Sequence, residues 1–150
     1  MSKTALKLLD VYKTKDADEL LYALLKQRSR RINISHRRMP GWAEHCRFIR
    51  SKPYKSWHLL QVSTPKPQIV GSVYLSKMNE IGIFLFKKFQ GRRYGLAAVQ
   101  ALMMKNKKAG RFLANINPQN ASSIAFFRRL GFKHIQNTYE LSFTNKKGNL

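Results

Sequence analysis

Glu80-Ile-Gly-Ile-Phe-Leu-Phe-Lys-Lys-Phe-Gln-Gly-Arg-Arg-Tyr-Gly95 reads as a β-branched strand running into a basic, glycine-containing loop that opens a helix. Such a loop turns backbone N–H groups towards one point, and the helix behind it adds its positive end, so the segment is built to receive an anion. Asn115-Ile-Asn-Pro-Gln-Asn120 and Phe126-Phe-Arg-Arg-Leu-Gly-Phe132 follow downstream. Gly131 suits a left-handed helix cap, after which Phe132 returns to the core.

Working outward, Leu6–Val11 reads as a first strand. Asp16-Ala-Asp-Glu19 has capping-box spacing ahead of Leu20, Leu21, Leu24 and Leu25, which recur at helical intervals. Residues 32–39 are ambiguous. Pro40-Gly-Trp-Ala-Glu44 opens a second helix reaching Ile49. Trp57–Ser63, Ile69–Ser76 and Glu80–Phe86 form an antiparallel meander, the last two joined by a Met78-Asn79 turn. Gly95–Lys107 is a helix with Leu96, Val99, Leu102 and Met103 on one face, stopped by Gly110. A short strand at Phe112–Ile116, a helix at Ser122–Leu130, strands at Lys133–Gln136 and Thr138–Thr144, and a loose tail from Asn145 complete the chain. The order predicts one α/β domain over residues 1–150, a sandwich around a mixed, mainly antiparallel sheet.

Composition narrows the function. The chain has 29 Lys and Arg against 7 Asp and Glu, a formal charge of +22. That field attracts polyanions, nucleic acid or a phosphorylated substrate among them. No apolar run approaches the roughly 20 residues of a membrane span, and the start lacks a secretory apolar segment. The single Cys46 can form no internal disulfide, and no Cys/His cluster has zinc spacing, so no metal is expected and the setting reads as reducing and cytoplasmic. Cys46 itself reads as a buried small residue on a helix.

The strand, the loop, the Asn elements and Leu130-Gly131-Phe132 together resemble the acetyl-CoA site of the GNAT N-acetyltransferase superfamily, whose element order the chain shares. The likeness implies a splayed central strand pair, acetyl-CoA as cofactor and acetyl transfer to a primary amine. In the family pattern Gln/Arg-x-x-Gly-x-Gly/Ala, Gln90 and Gly95 match, and Arg93 stands where the central glycine is usual. The resemblance then places the pyrophosphate against Gly91, Arg92, Arg93, Tyr94, Gly95 and Leu96. It lays pantetheine along the backbone of Ile83, Phe84 and Leu85, with the N–H of Phe84 or Leu85 facing the developing oxyanion. Asn115 and Asn117 line the other side. Asn120 bonds the cofactor arm or caps a helix, or does both. Ser123 is a polar contact or a first-turn residue. Phe127 occupies the position where the family often carries a tyrosine acid. It has no proton to give, which leaves water, Tyr94 or unassisted departure of the thiolate.

For the amine's proton, only Glu44 and Glu80 carry a carboxylate between residues 20 and 139. Glu80 opens the slot strand, as the base or as a strand-end ion pair. Glu44, His36, His45 and Trp42 fall in the region that binds the acceptor in such enzymes, where each is equally a surface or packing residue. Arg28, Arg30, Arg31, Arg37, Arg38 and Arg47 interleave with Trp42, Phe48, Tyr54 and Trp57, a mixture that grips phosphate and stacks a base or sugar, or is merely solvated cations beside a core. The expected acceptor is an anionic amine such as an amino-sugar nucleotide. The alternatives are a macromolecular amine (protein, tRNA or DNA base) and a non-catalytic nucleic-acid-binding domain. A homodimer is compatible with all three.

Overall fold

The computed structural model describes residues 5–28 and 38–143. Four antiparallel strands lie in chain order: β1 (Leu6–Asp10), β2 (Tyr54–Val62), β3 (Gln68–Ser76) and β4 (Ile81–Leu85). Helices α1 (Ala17–Gln27) and α2 (Trp42–Arg50) cover one face, and α3 (Tyr94–Lys105) and α4 (Ala121–Arg129) the other. The fold is a mixed α/β sandwich, as the element order predicts.

The sheet is buried on both sides, so consecutive residues feed different cores. Leu59 packs with Val11, Leu21, Leu24, Ile49 and Trp57 beneath α1 and α2. Its neighbour Leu60 packs with Val73, Leu75, Val99 and Leu102 beneath α3. Both leucines are fully buried. A half-exposed sheet would show a polar residue at every second position; this one does not. The expected Met78-Asn79 turn is present, with Asn79 at φ 64 and its N–H donating to the Ser76 carbonyl.

Two glycines let the sheet approach its own neighbours. A Cβ on Gly82 would collide with the Tyr74 ring, which lies across it from β3, and one on Gly71 would collide with the Phe84 carbonyl.

Three expectations need correction. The strand at Phe112–Ile116 is reduced to one parallel bridge, Leu113 beside Glu80. Asp16 holds the N-cap position of α1 in a left-handed conformation and its side chain caps nothing; it is Asp10 that accepts from the Tyr12 N–H. Residues 133–143 form no strand. Their alternation is real, but no edge among the described residues pairs with them, and a strand without a ladder partner does not persist. Ile135, Tyr139, Leu141 and Phe143 are left exposed, Tyr139 at 89%. Thr144 and the tail from Asn145, like the ambiguous residues 32–37, fall outside the described residues.

Replacing Gly82 with Ala should cost about 1–3 kcal/mol, the usual range for overpacking. Urea unfolding of Gly82→Ala, Tyr74→Ala and the double variant checks this: the cost should shrink once the Tyr74 ring is gone.

Candidate functional site

Strand pairing decides which peptide groups are free. Phe86 N–H donates to the Val70 carbonyl, and Ser76 N–H to the Glu80 carbonyl, so even-numbered residues of this segment bond to β3. Odd-numbered residues face the other way, as antiparallel alternation requires. Ile81 uses that side: its N–H donates to the Leu113 carbonyl at 2.7 Å, and Leu113 N–H donates to the Asn79 carbonyl at 2.9 Å. Beyond this point the two segments part. Among the described residues no backbone hydrogen bond joins Ile83 or Leu85 to residues 114–117. A slot therefore opens, presenting the N–H and C=O of Ile83 and the N–H of Leu85. The Leu85 carbonyl is touched only by the Gln90 amide at 3.4 Å. Of the two N–H groups expected to face the oxyanion, that of Phe84 is committed to the β3 side, while that of Leu85 faces the slot together with the N–H of Ile83.

At the far end of the slot, Phe89 is buried in the core and anchors the turn Lys87–Phe89. Gly91 follows at φ 78 and Arg93 at φ 65, both left-handed. Arg93 thus takes the conformation a glycine would take freely, and the loop keeps its bend despite the side chain. Arg93 is the N-cap of α3, makes no side-chain cap bond, and its carbonyl receives the first helical N–H, from Ala97. The N–H groups of Tyr94, Gly95 and Leu96 are left open at the positive end of α3. Gly95 is buried, and a Cβ there would stand 3.4 Å from the Phe126 ring of α4. Arg92 and Arg93 are exposed at the loop surface.

Glu80 sits where the slot closes. Its N–H is held by Ser76 Oγ at 2.9 Å, and its Oε2 accepts from Asn115 Nδ2 at 2.8 Å across the gap. Oε1 makes no hydrogen bond among the described residues. The carboxylate also bears on Tyr74, whose phenol is raised above its ordinary pKa by burial first and by the Glu80 charge last.

On the α1/α2 face of the sheet lies a cleft of about 230 Å³. Its walls are aromatic: Tyr54 and Tyr74 stack with centroids 3.8 Å apart, Trp57 meets Tyr54 edge-on at 4.7 Å, and Phe48 and Phe84 complete the lining. Burial, then Tyr74, raises the Tyr54 pKa as well, so both phenols remain protonated at neutral pH. Arg28 enters with its guanidinium carbon 3.8 Å over the Phe84 ring.

The other expected residues divide clearly. Asn120 caps α4, its side chain accepting from the Ser123 N–H and the Ser122 hydroxyl. Asn117 holds the turn before it, accepting from the Gln119 N–H. Phe127 is a core residue, 5% exposed and edge-on to Phe126 and Phe132. Glu44 lines the cleft and pairs with Arg38 at 3.3 Å. Trp42 stays outside the cleft, packing on Tyr22 and His45. His45 is buried, with Nε2 2.8 Å from the Asp18 carbonyl, and serves packing. His36 lies outside the described residues. Sequence reasoning missed Tyr74 and Ser72. Their signal was parity: both share a sheet face with Trp57 and Phe84.

Residues 7–133 match the family model of the acetyltransferase (GNAT) domain. The chain belongs to the GNAT acetyltransferase family. No curated protein matches it in sequence. Among solved structures it is similar to a domain from Methanocaldococcus jannaschii, at 24% identity over 92% of this chain and 94% of that one, with a TM-score of 0.79. It is also similar to YncA of Salmonella typhimurium, a putative acetyltransferase solved with acetyl-CoA: 15% identity, 87% of this chain, 80% of that one, TM-score 0.62. RimL, the ribosomal L7/L12 α-N-protein acetyltransferase solved with CoA, aligns at 20% identity over 85% and 79%, with a TM-score of 0.66.

A Cβ on Gly91 would meet nothing within 4 Å, so substitution there tests conformation alone. Gly91→Ala should destabilise the protein by about 1 kcal/mol, the usual left-handed penalty, and weaken acetyl-CoA binding measured by calorimetry. Arg93→Gly should leave stability equal or higher.

Proposed function

We propose that the chain, taken as one domain over residues 1–150, is an acetyl-CoA-dependent N-acetyltransferase acting on a primary amine of an anionic small molecule, such as an amino-sugar nucleotide. The observation that carries this reading is the slot: unpaired peptide groups of Ile83 and Leu85 run from the open N–H groups of α3 to the Glu80 carboxylate. The donor set fits the cofactor. Three helical N–H groups beside Arg92 and Arg93 suit a diphosphate, and a strand-like edge suits the amides of pantetheine.

When bound, acetyl-CoA supplies an activated acetyl thioester. The N–H of Ile83 or Leu85 would face the acetyl oxygen and stabilise negative charge there. Glu80 Oε1 accepts the amine proton directly or through water, while Asn115 holds Oε2 and fixes the carboxylate. The acetyl group would pass to the amine nitrogen, the new carbon–nitrogen bond replacing the carbon–sulfur bond of the thioester. Phe127 has no proton for the departing sulfur, so water or Tyr94 supplies it, or the sulfur leaves as thiolate, tolerable for a thiol of pKa about 8–9.

A compact aromatic cleft supports a small acceptor. The charge of +22 favours the second reading, an amine on a polyanionic assembly.

Acetyl-CoA at a hundredfold excess over its Kd should raise stability by about 2.7 kcal/mol; no thermal shift would leave a non-catalytic basic domain. Glu80→Gln should lower kcat by about 10²–10⁴ while acetyl-CoA affinity holds; unchanged turnover removes Glu80 as base. Thiol release with amino-sugar nucleotides, but not with tRNA or peptides, selects the small acceptor.

A further inference from the structure

Arg28 is a partly buried cation, and among the described residues no acidic side chain pairs with it. It follows the last turn of α1, reaches into the cleft and lies on the Phe84 ring. Burial lowers its pKa from the ordinary arginine value, yet a guanidinium remains charged in proteins. The acidic group nearest in the cleft, Glu44, sits at the rim and is engaged by Arg38. The remaining polar groups of the walls carry N–H or O–H donors, and the hydroxyls among them also accept. Trp57, a lining residue, has its indole N–H buried with no partner among the described residues. The Tyr54 and Tyr74 hydroxyls are protonated and hydrogen-bond to each other, and the Ser72 hydroxyl belongs to the same lining. The His45 ring, by contrast, is already engaged by the Asp18 carbonyl. A partly buried cation and a buried N–H that find no acceptor among the described residues are each unfavourable unless something supplies oxygen.

We propose that the acceptor is bound through an anionic oxygen group, phosphate or carboxylate, seated on Arg28, with the body of the molecule against the aromatic rings of Tyr54, Tyr74 and Phe84. The inference rests on the acetyl-transfer reading for the identity of this ligand as the acceptor. Arg28 acts as a specificity residue: its planar fork matches two oxygens at once, and Phe84 beneath it holds the fork flat. An acceptor fixed there lies over Tyr74, on the sheet face that carries the aromatic cleft.

Calorimetric titration of the CoA-saturated protein tests this, with UDP as the phosphate probe and 3-phenylpropionate as the carboxylate probe. CoA saturation occupies the loop before Gly95, which would otherwise take the anion. One of the two probes should bind at a single site. Arg28→Met keeps packing on Phe84 but removes the fork, and should weaken that binding about tenfold or more, as loss of a charge-assisted bond does. Arg28→Lys should fall between them, and acetyl-CoA affinity should be the same in all three proteins. Phosphate-only or carboxylate-only binding identifies the acceptor's anion. The proposal is overturned if neither probe binds the native protein, or if Arg28→Met binds as tightly, which is what diffuse attraction to a +22 surface would give. Should acetyl-CoA itself fail to bind, the acetyl-transfer reading falls, and the same titration without CoA still decides whether Arg28 holds an anion.

Discussion

One parallel bridge, Glu80 beside Leu113, governs the site. It closes the sheet at a single point and lets the chain diverge beyond it. Had pairing continued, the Ile83 and Leu85 peptide groups would be spent on a ladder. Because it stops, they lie along an edge inside the molecule rather than at its rim. The bond from Asn115 to Glu80 spans the same point. Separation of the strands and orientation of the carboxylate are therefore set by one junction.

The two faces of β4 have different tasks. Ile83 and Leu85 send their side chains into the core under α3 and their peptide groups into the slot. Phe84 sends its ring to the opposite face, where it floors the aromatic cleft beneath Arg28. Gly82 keeps that face clear enough for Tyr74 to lie flat across it. A five-residue strand thus separates the side that suits the cofactor from the side that suits an acceptor, and period-two alternation does the separating.

Much of this is legible in the amino-acid sequence. The meander shows in its β-branched runs and the Met78-Asn79 turn, and the bend that opens α3 in Gln90, Gly91 and Gly95. What was not legible depended on partners distant in sequence. The parity that commits the Phe84 N–H to β3 follows from register, which composition does not encode. Phe127 resembles a site position by spacing, yet Phe126 and Phe132 draw its ring into the core. Asp16 has the right residue type and spacing for a capping box, but its left-handed backbone takes the carboxylate away from the helix N–H groups. Residues 133–143 alternate like a strand, yet among the described residues no edge pairs with them, which shows that alternation is not sufficient. Tyr74 and Ser72 carry no motif, and only their shared face gives them a place beside the cleft.

The exposed side chains of Ile135, Tyr139, Leu141 and Phe143 sit on a molecule whose copies repel one another through a charge of +22. Salt shortens the reach of that repulsion, from about 10 Å at 0.1 M to about 3 Å at 1 M, while leaving apolar attraction in place or strengthening it. Ionic strength consequently pulls the solution behaviour of this protein in opposite directions. Dilute buffer favours capture of stray polyanions, and concentrated buffer favours sticking of the protein to itself. Purification conditions that clear the first hazard invite the second.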